Sequence, residues 1–128
     1  MSLTNAFETS TLQYLLTTDS VTRPTAWYVG LFTSDPTDTG AAGTEVSGFD
    51  YARTAATFTV TGDTATNSSA VEFPAASGGN WGTIGWIGIM DASSGGNMII
   101  HSALDTAKAI NDGDVFRIPT GDLDITAS

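Results

Sequence analysis

The stretch Trp81–Asp91, WGTIGWIGIMD, holds two tryptophans, three isoleucines and a methionine, with no charge before Asp91. At a period of two, one face reads Trp81, Thr83, Gly85, Ile87, Ile89 and the other Gly82, Ile84, Trp86, Gly88, Met90. Both faces are apolar or small, which predicts a strand covered on both sides near the middle of a sheet or sandwich. A buried helix is the rival for any apolar run. Glycine at 82, 85 and 88 opposes it, because each mid-helix glycine costs about 1 kcal/mol relative to alanine. The glycines also leave room for another backbone or a large ring. Ala26–Thr33, AWYVGLFT, has the same two-faced character and a glycine near its middle, so the two segments pair as core strands.

Around these strands the chain reads as short strands and turns. Residues 3–17 are the one helix candidate, with Asn5 and Glu8 at capping-box spacing and Ser2 as a second possible cap. Leu3, Phe7 and Tyr14 fall at helical spacing, and Leu12, Leu15 and Leu16 add a second apolar set. One reading is a lid on a sheet; the other is a helix partly buried by a neighbouring copy or another protein. Arg23-Pro24 ends the helical region and holds the chain extended. Residues 34–50, SDPTDTGAAGTEVSGFD, form a long aperiodic loop and a candidate contact surface, with Val46 and Phe49 as anchors to its own domain or to a partner.

Tyr51–Val60 alternates as a half-buried strand, with Ala52, Thr54, Ala56, Phe58 and Val60 on one side. Ser69–Phe73 is a short strand. Residues 81–104 read as a hairpin, and 106–110 with 114–118 as another around Asn111-Asp112-Gly113. Leu123 and Ile125 point inward from a last strand. Seven or eight strands at roughly ten-residue spacing predict a mainly β single domain over 1–128. It is an antiparallel β-sandwich or jelly-roll-like barrel with one N-terminal α-helix.

Composition narrows the function. The chain has 128 residues and a net charge of −10, with fourteen acids against Arg23, Arg53, Lys108 and Arg117. Four scattered cations lay no basic track, so nucleic acid is not an expected partner. No apolar run is long enough to cross a bilayer, the first residues lack a signal peptide's pattern, and no membrane partner is expected. There is no cysteine, hence neither a disulfide framework nor a thiolate metal site.

Chemistry is sparse. His101 is the only histidine and lies within a strand, where a hydrogen-bonded structural role outweighs metal binding or nucleophile activation. Asp35/Asp38, Asp112/Asp114 and Asp122/Asp124 are close pairs of the kind a glycosidase uses, but each lies in a turn or at an edge, where aspartate bonds backbone N–H groups. The glycine-rich stretches 77–79 and 93–96 lack the Lys-Ser/Thr ending of a phosphate loop. Trp27, Trp81 and Trp86 read as core rather than as a sugar-stacking platform. Neither catalytic residues, cofactor nor metal are expected, and the chain reads as no enzyme.

A series of motifs follows in order along the chain. After the N-terminal helix, Pro24-Thr25-Ala26-Trp27-Tyr28-Val29-Gly30-Leu31-Phe32-Thr33-Ser34-Asp35-Pro36-Thr37-Asp38 is followed by Gly43-Thr44-Glu45-Val46-Ser47-Gly48 and Tyr51-Ala52-Arg53. Phe73-Pro74-Ala75, Trp81-Gly82-Thr83-Ile84, Gly88-Ile89-Met90-Asp91-Ala92, Gly95-Gly96-Asn97, Asn111-Asp112-Gly113-Asp114 and Ile118-Pro119-Thr120-Gly121-Asp122-Leu123 complete the set. Together they resemble a family of small tailed-phage and prophage virion structural proteins, often labelled tail fibre or minor structural protein. Gly48-Phe49-Asp50-Tyr51 departs from the family's Gly-Gly-Ser-Tyr.

The resemblance implies a virion component made in the bacterial host cytoplasm. A fibre shaft is elongated and a sandwich of this size is not, so a capsid decoration (cement) protein is the first expectation. It would bind across capsid subunits as a homotrimer, with itself and the major capsid protein as partners. A tail fibre or baseplate component bound to other tail proteins is the second. A carbohydrate-binding module for host attachment is the third. The expected interface residues are Leu3, Phe7, Leu12, Tyr14, Val46 and Phe49.

Overall fold

The computed structural model describes residues 2–127. Among them the order is β1 (Ser2–Leu3), α1 (Asn5–Leu16), β2 (Tyr28–Phe32), β3 (Thr54–Ala55), β4 (Phe58–Thr61), β5 (Thr64–Asn67), β6 (Val71–Glu72), β7 (Gly82–Met90), β8 (Met98–Ile110), β9 (Arg117–Ile118) and β10 (Asp124–Thr126). The apolar stretch is the centre of a five-stranded antiparallel sheet ordered β1-β8-β7-β2-β3. Strands β2 and β7 pair from Tyr28 opposite Met90 to Phe32 opposite Trp86, so the two segments of shared character are neighbours. A three-stranded sheet, β10-β5-β4, and a two-stranded one, β6-β9, make the fold sandwich-like rather than a closed barrel. Ten strands replace the expected seven or eight because four of them are two-residue pairings.

The five-stranded sheet is apolar on both faces, as its central strand requires. Val29, Leu31, Ile84, Ile87 and Ile89 enter the main core with Val71, Phe73, Phe116 and Leu123. On the other face Phe32, Met90 and Met98 cluster with Tyr28 and Trp86. Strict alternation would set Ile84 beside Trp86, and the structure corrects this. The β7–β8 register slips between Ile84, which faces Lys108, and Trp86, which faces Ala103. Gly85 sits at the slip, and Ile84 joins Ile87 in the main core while Trp86 stays outside. A bulge of this kind reverses the facing of every residue beyond it. Gly30 and Gly88 pair across β2 and β7. A β-carbon at Gly88 would lie 2.6 Å from Met98 Cε and 3.1 Å from Phe32 Cε1, so the glycine makes space for both side chains.

Two expected strands are rearranged. Residues 51–60 are not one strand: β3 belongs to the large sheet and β4 to the three-stranded one, and the chain crosses at Ala56, which is buried. The Ala56 N–H donates to Trp27 O at 2.9 Å, and the Ser68 N–H to Thr57 O at 2.9 Å, so adjacent residues already serve different sheets. Nor do 106–110 and 114–118 form a hairpin. Residues 106–110 extend β8, whereas β9 pairs with β6, Val71 facing Ile118. The Asp112-Gly113 turn forms, with Gly113 at φ +91°, but it redirects the chain instead of pairing its two arms.

Asn67 closes the second half of the sandwich from inside. It is almost fully buried, and its Nδ2 donates to Ser69 O at 2.9 Å and Pro119 O at 3.0 Å. Its Oδ1 accepts from the Gly121 N–H at 3.1 Å and the Leu123 N–H at 2.9 Å. One amide thus satisfies four backbone groups of the 119–123 turn and the end of β5. Asn67→Ala should therefore destabilise the fold by about 2–4 kcal/mol, since buried polar groups left unpaired carry their full desolvation cost. Chemical denaturation read by tryptophan fluorescence checks this; a loss below about 0.5 kcal/mol, the ordinary surface value, would show that the turn is held otherwise.

Candidate interaction surface

The long loop is tied to its own domain. Glu45 bridges to Phe32 at the edge of β2, and Val46, one of the expected anchors, is buried in the main core. The Glu45 carboxylate accepts from Tyr51 Oη at 2.6 Å and from Arg53 Nε and Nη2 at 2.8 Å each. Arg53 Nη1 also donates to Ala92 O at 2.9 Å and Gly95 O at 2.8 Å, drawing the β7–β8 turn into the same knot. The Leu31 N–H donates to Tyr51 Oη at 3.0 Å. That donor lies on β2 between the residues paired with β3 and with Glu45, so the phenol oxygen fills a gap in the ladder. Burial, and then the adjacent carboxylate, push the Tyr51 hydroxyl well above the usual phenol range. The carboxylate's hydrogen bonds raise the Arg53 guanidinium further still.

The rest of the loop lies against β8 and the start of α1. Asp38 O accepts from the Asn5 N–H at 2.8 Å, and Asp38 Oδ1 meets His101 Nε2 at 2.9 Å. A β-carbon at Gly40 would lie 3.1 Å from both Met98 Cβ and Thr4 Cγ2. Pro36 is fully buried. At the far end of the loop Phe49 is about half exposed at φ +53°. Its ring lies over Gly79, where a β-carbon would come within 2.5 Å of Phe49 Cε1. The Trp81 indole donates to Phe49 O at 3.0 Å.

The helix is the opposite case. It buries none of its residues, and Leu12, Tyr14, Leu15 and Leu16 are 59%, 74%, 66% and 76% exposed. It begins at Asn5 after Thr4, not at an Asn5 or Ser2 cap, because Ser2 and Leu3 pair with His101 and Ile100 of β8. Thr4 does not cap with its side chain; its hydroxyl donates to Met98 O at 2.7 Å. Leu3 and Phe7 are half-buried against the main core. The lid reading is thus corrected: α1 is anchored at its first turn, and beyond it Leu12, Tyr14, Leu15 and Leu16 are exposed while Ser10 and Gln13 are partly covered. Of the six expected interface residues, Leu12, Tyr14 and Phe49 are exposed, Leu3 and Phe7 partly covered, and Val46 buried.

Most of the candidates for chemistry are engaged structurally. Asp35, Asp112 and Asp114 accept backbone N–H groups of Thr37, Gly78 and Asn111. Asp124 accepts from Thr66 Oγ1 at 2.7 Å. No group of three or more His, Cys, Asp or Glu is placed to hold a metal among the described residues. Trp81 is buried, and Trp27 and Trp86 are partly covered. Among the described residues no helix is long and apolar enough to cross a membrane. The Glu45–Tyr51–Arg53 knot was missed in the sequence; its signal was one acid followed at six and eight residues by two same-face donors.

A family model described as Podophage GP4 fiber I protein gp80 matches residues 2–126. The chain belongs to this family, and with it to the structural proteins of the phage virion. No curated protein matches it.

Removing the shared acceptor should unmake the knot. Glu45→Ala leaves Arg53 and Tyr51 facing each other without the carboxylate, with an expected loss of about 2–4 kcal/mol in denaturant unfolding. The raised Tyr51 hydroxyl also sets a pH dependence. Above pH about 10 the unfolded chain gives up a phenol proton that the folded chain keeps, so stability is full below that pH and falls as pH rises through it. The melting temperature should decline above pH 10 in the wild type and more shallowly in Tyr51→Phe; parallel declines would refute the assignment.

Proposed function

We propose that the chain is a non-catalytic module of the virion's fibre apparatus, working by contact with neighbouring proteins and not by turning over a substrate. Its membership of a fibre protein family supports the location. The observation that carries the mode of action is α1. Apolar side chains at 12, 14, 15 and 16 project from the domain and make up most of its exposed large hydrophobic residues. Leaving several leucines and a tyrosine in water forfeits about 1.5–3 kcal/mol for each large side chain that burial would recover. A docking partner recovers that energy. The fibre's other proteins are the partners this reading expects, together with further copies of the chain.

The second reading is a head decoration protein bound to the major capsid protein. It is favoured by the shape of the described residues, a sandwich without an extended shaft.

The two readings differ in number and place. In a fibre, the chain should be present in tens of copies per virion and should leave with the tail apparatus when heads and tails are separated. Hundreds of copies, retained on purified tailless heads, would support decoration and overturn the fibre reading. Quantitative mass spectrometry of intact virions and separated fractions measures both.

A further inference from the structure

Beside the exposed helix lies an apolar groove of about 870 Å³. One wall is formed by Leu3, Ile100 and Leu15; the other is formed by Val60, Ala65 and Ile125 of the three-stranded sheet. Val60 faces Ala65 and Ala65 faces Ile125 in register, so the three form one row across β4, β5 and β10. The row shares its sheet face with Phe58, which packs on the main core. The groove is therefore the open end of the sandwich interior: Val60 is interior by facing, yet 70% exposed.

We propose that this groove receives the C-terminal half of α1 from a second copy of the chain. The proposal deepens the virion reading by naming one contact that the protein makes. The same helix supplies both parts: Leu15 lines its own groove, while Leu12 and Leu16, four residues apart and on one side of the helix, are free to enter another. Two copies exchanging helices in this way satisfy each other reciprocally.

Charge selects the occupant. The chain carries −10, and Glu8 and Asp63 stand at the groove, so an acidic segment is repelled there. From Thr9 to Thr18 the chain has no charged residue, so this exposed segment of a like-charged copy can insert without adding repulsion. Area is sufficient too. The exposed parts of Leu12, Tyr14, Leu15, Leu16 and Val60 amount to on the order of 600 Å² per copy, and a reciprocal pair reaches the roughly 1,200 Å² at which specific interfaces begin.

The cysteine-free chain allows a direct test. One preparation carries Leu16→Cys and a second Val60→Cys; they are mixed and mildly oxidised. The mixed disulfide should dominate over either like-with-like product, and unmodified protein should sediment as an oligomer. Leu12→Glu with Leu16→Glu should shift it to the single-chain mass, with its β-sheet circular dichroism unchanged. If that variant fails to fold, the cysteine pair still decides. Only Leu16-to-Leu16 linkage would mean helix-to-helix contact and would overturn the groove assignment. A single-chain mass for the wild type would overturn self-association. Either failure leaves the virion role standing, since that is measured on the particle.

Discussion

One carboxylate holds the edge of the central sheet. Glu45 collects three donors, two from Arg53 and one from Tyr51, and the Tyr51 oxygen in turn receives the Leu31 N–H. The open side of β2 is thus completed by a side chain where a strand would ordinarily pair. Gly30 leaves room for the arrangement, because a β-carbon there would stand 3.0 Å from Glu45 Oε2 and crowd it. The arrangement also lets the Tyr51 ring reach inward, 5.3 Å edge-on from Trp81 and 6.2 Å stacked on Phe73. Charge-assisted bonds at a partly desolvated site are the strong ones, and these fix the loop, the β2 edge and the 92–95 turn together. A sheet edge closed in this way offers few free backbone groups to a stray strand.

With the loop held there, the two elements that looked most like appendages exchange roles. Residues 34–46 cover the second apolar face, Gly40 close against Met98 and Asp38 bonded to both Asn5 and His101. The helix, which looked like a lid, covers little. Its own chemistry does not stabilise it: the cap position spends its hydroxyl on β8, and Thr9, Ser10 and Thr11 bond back to carbonyls four residues earlier. A helix of 12 residues is marginal in water even with favourable composition. Such a segment draws its stability from whatever surface it lies against, so its apolar residues and its shape favour the same outcome.

Much of the frame was legible because it rests on local pattern. Apolar character on both faces marked β2 and β7 as central neighbours, and Leu123 and Ile125 marked the last strand. Turn chemistry also accounted for Asp35, Asp112 and Asp114. The rest was hidden for definable reasons. Alternation continues smoothly through 51–60 although the chain changes sheets at Ala56, since both sheets bury the same side. Gly85 does not announce which way its bulge turns Ile84. Asn67 reads as one more polar residue before a turn, and only the approach of 119–123 shows that all four of its bonding positions are used inside. The Glu45 knot needs the loop's path, which no periodicity encodes. Helix exposure was equally hidden, because an apolar stripe states that burial is wanted and not which molecule supplies it.

The distribution of charge connects these points to assembly. Of four cations, Arg53 is committed to Glu45, Lys108 sits over the Phe116 ring at 5.8 Å, and Arg117 lies 3.6 Å from Glu72. Arg23 makes no ion pair among the described residues. Such a surface has little positive charge with which to attract another acidic copy. Long-range electrostatics between copies is repulsive, and association depends on short-range burial where charge is absent. A surface of this kind resists indiscriminate sticking and yields only when a well-fitted apolar contact forms. If copies pack beside one another as proposed, that combination favours order over aggregation.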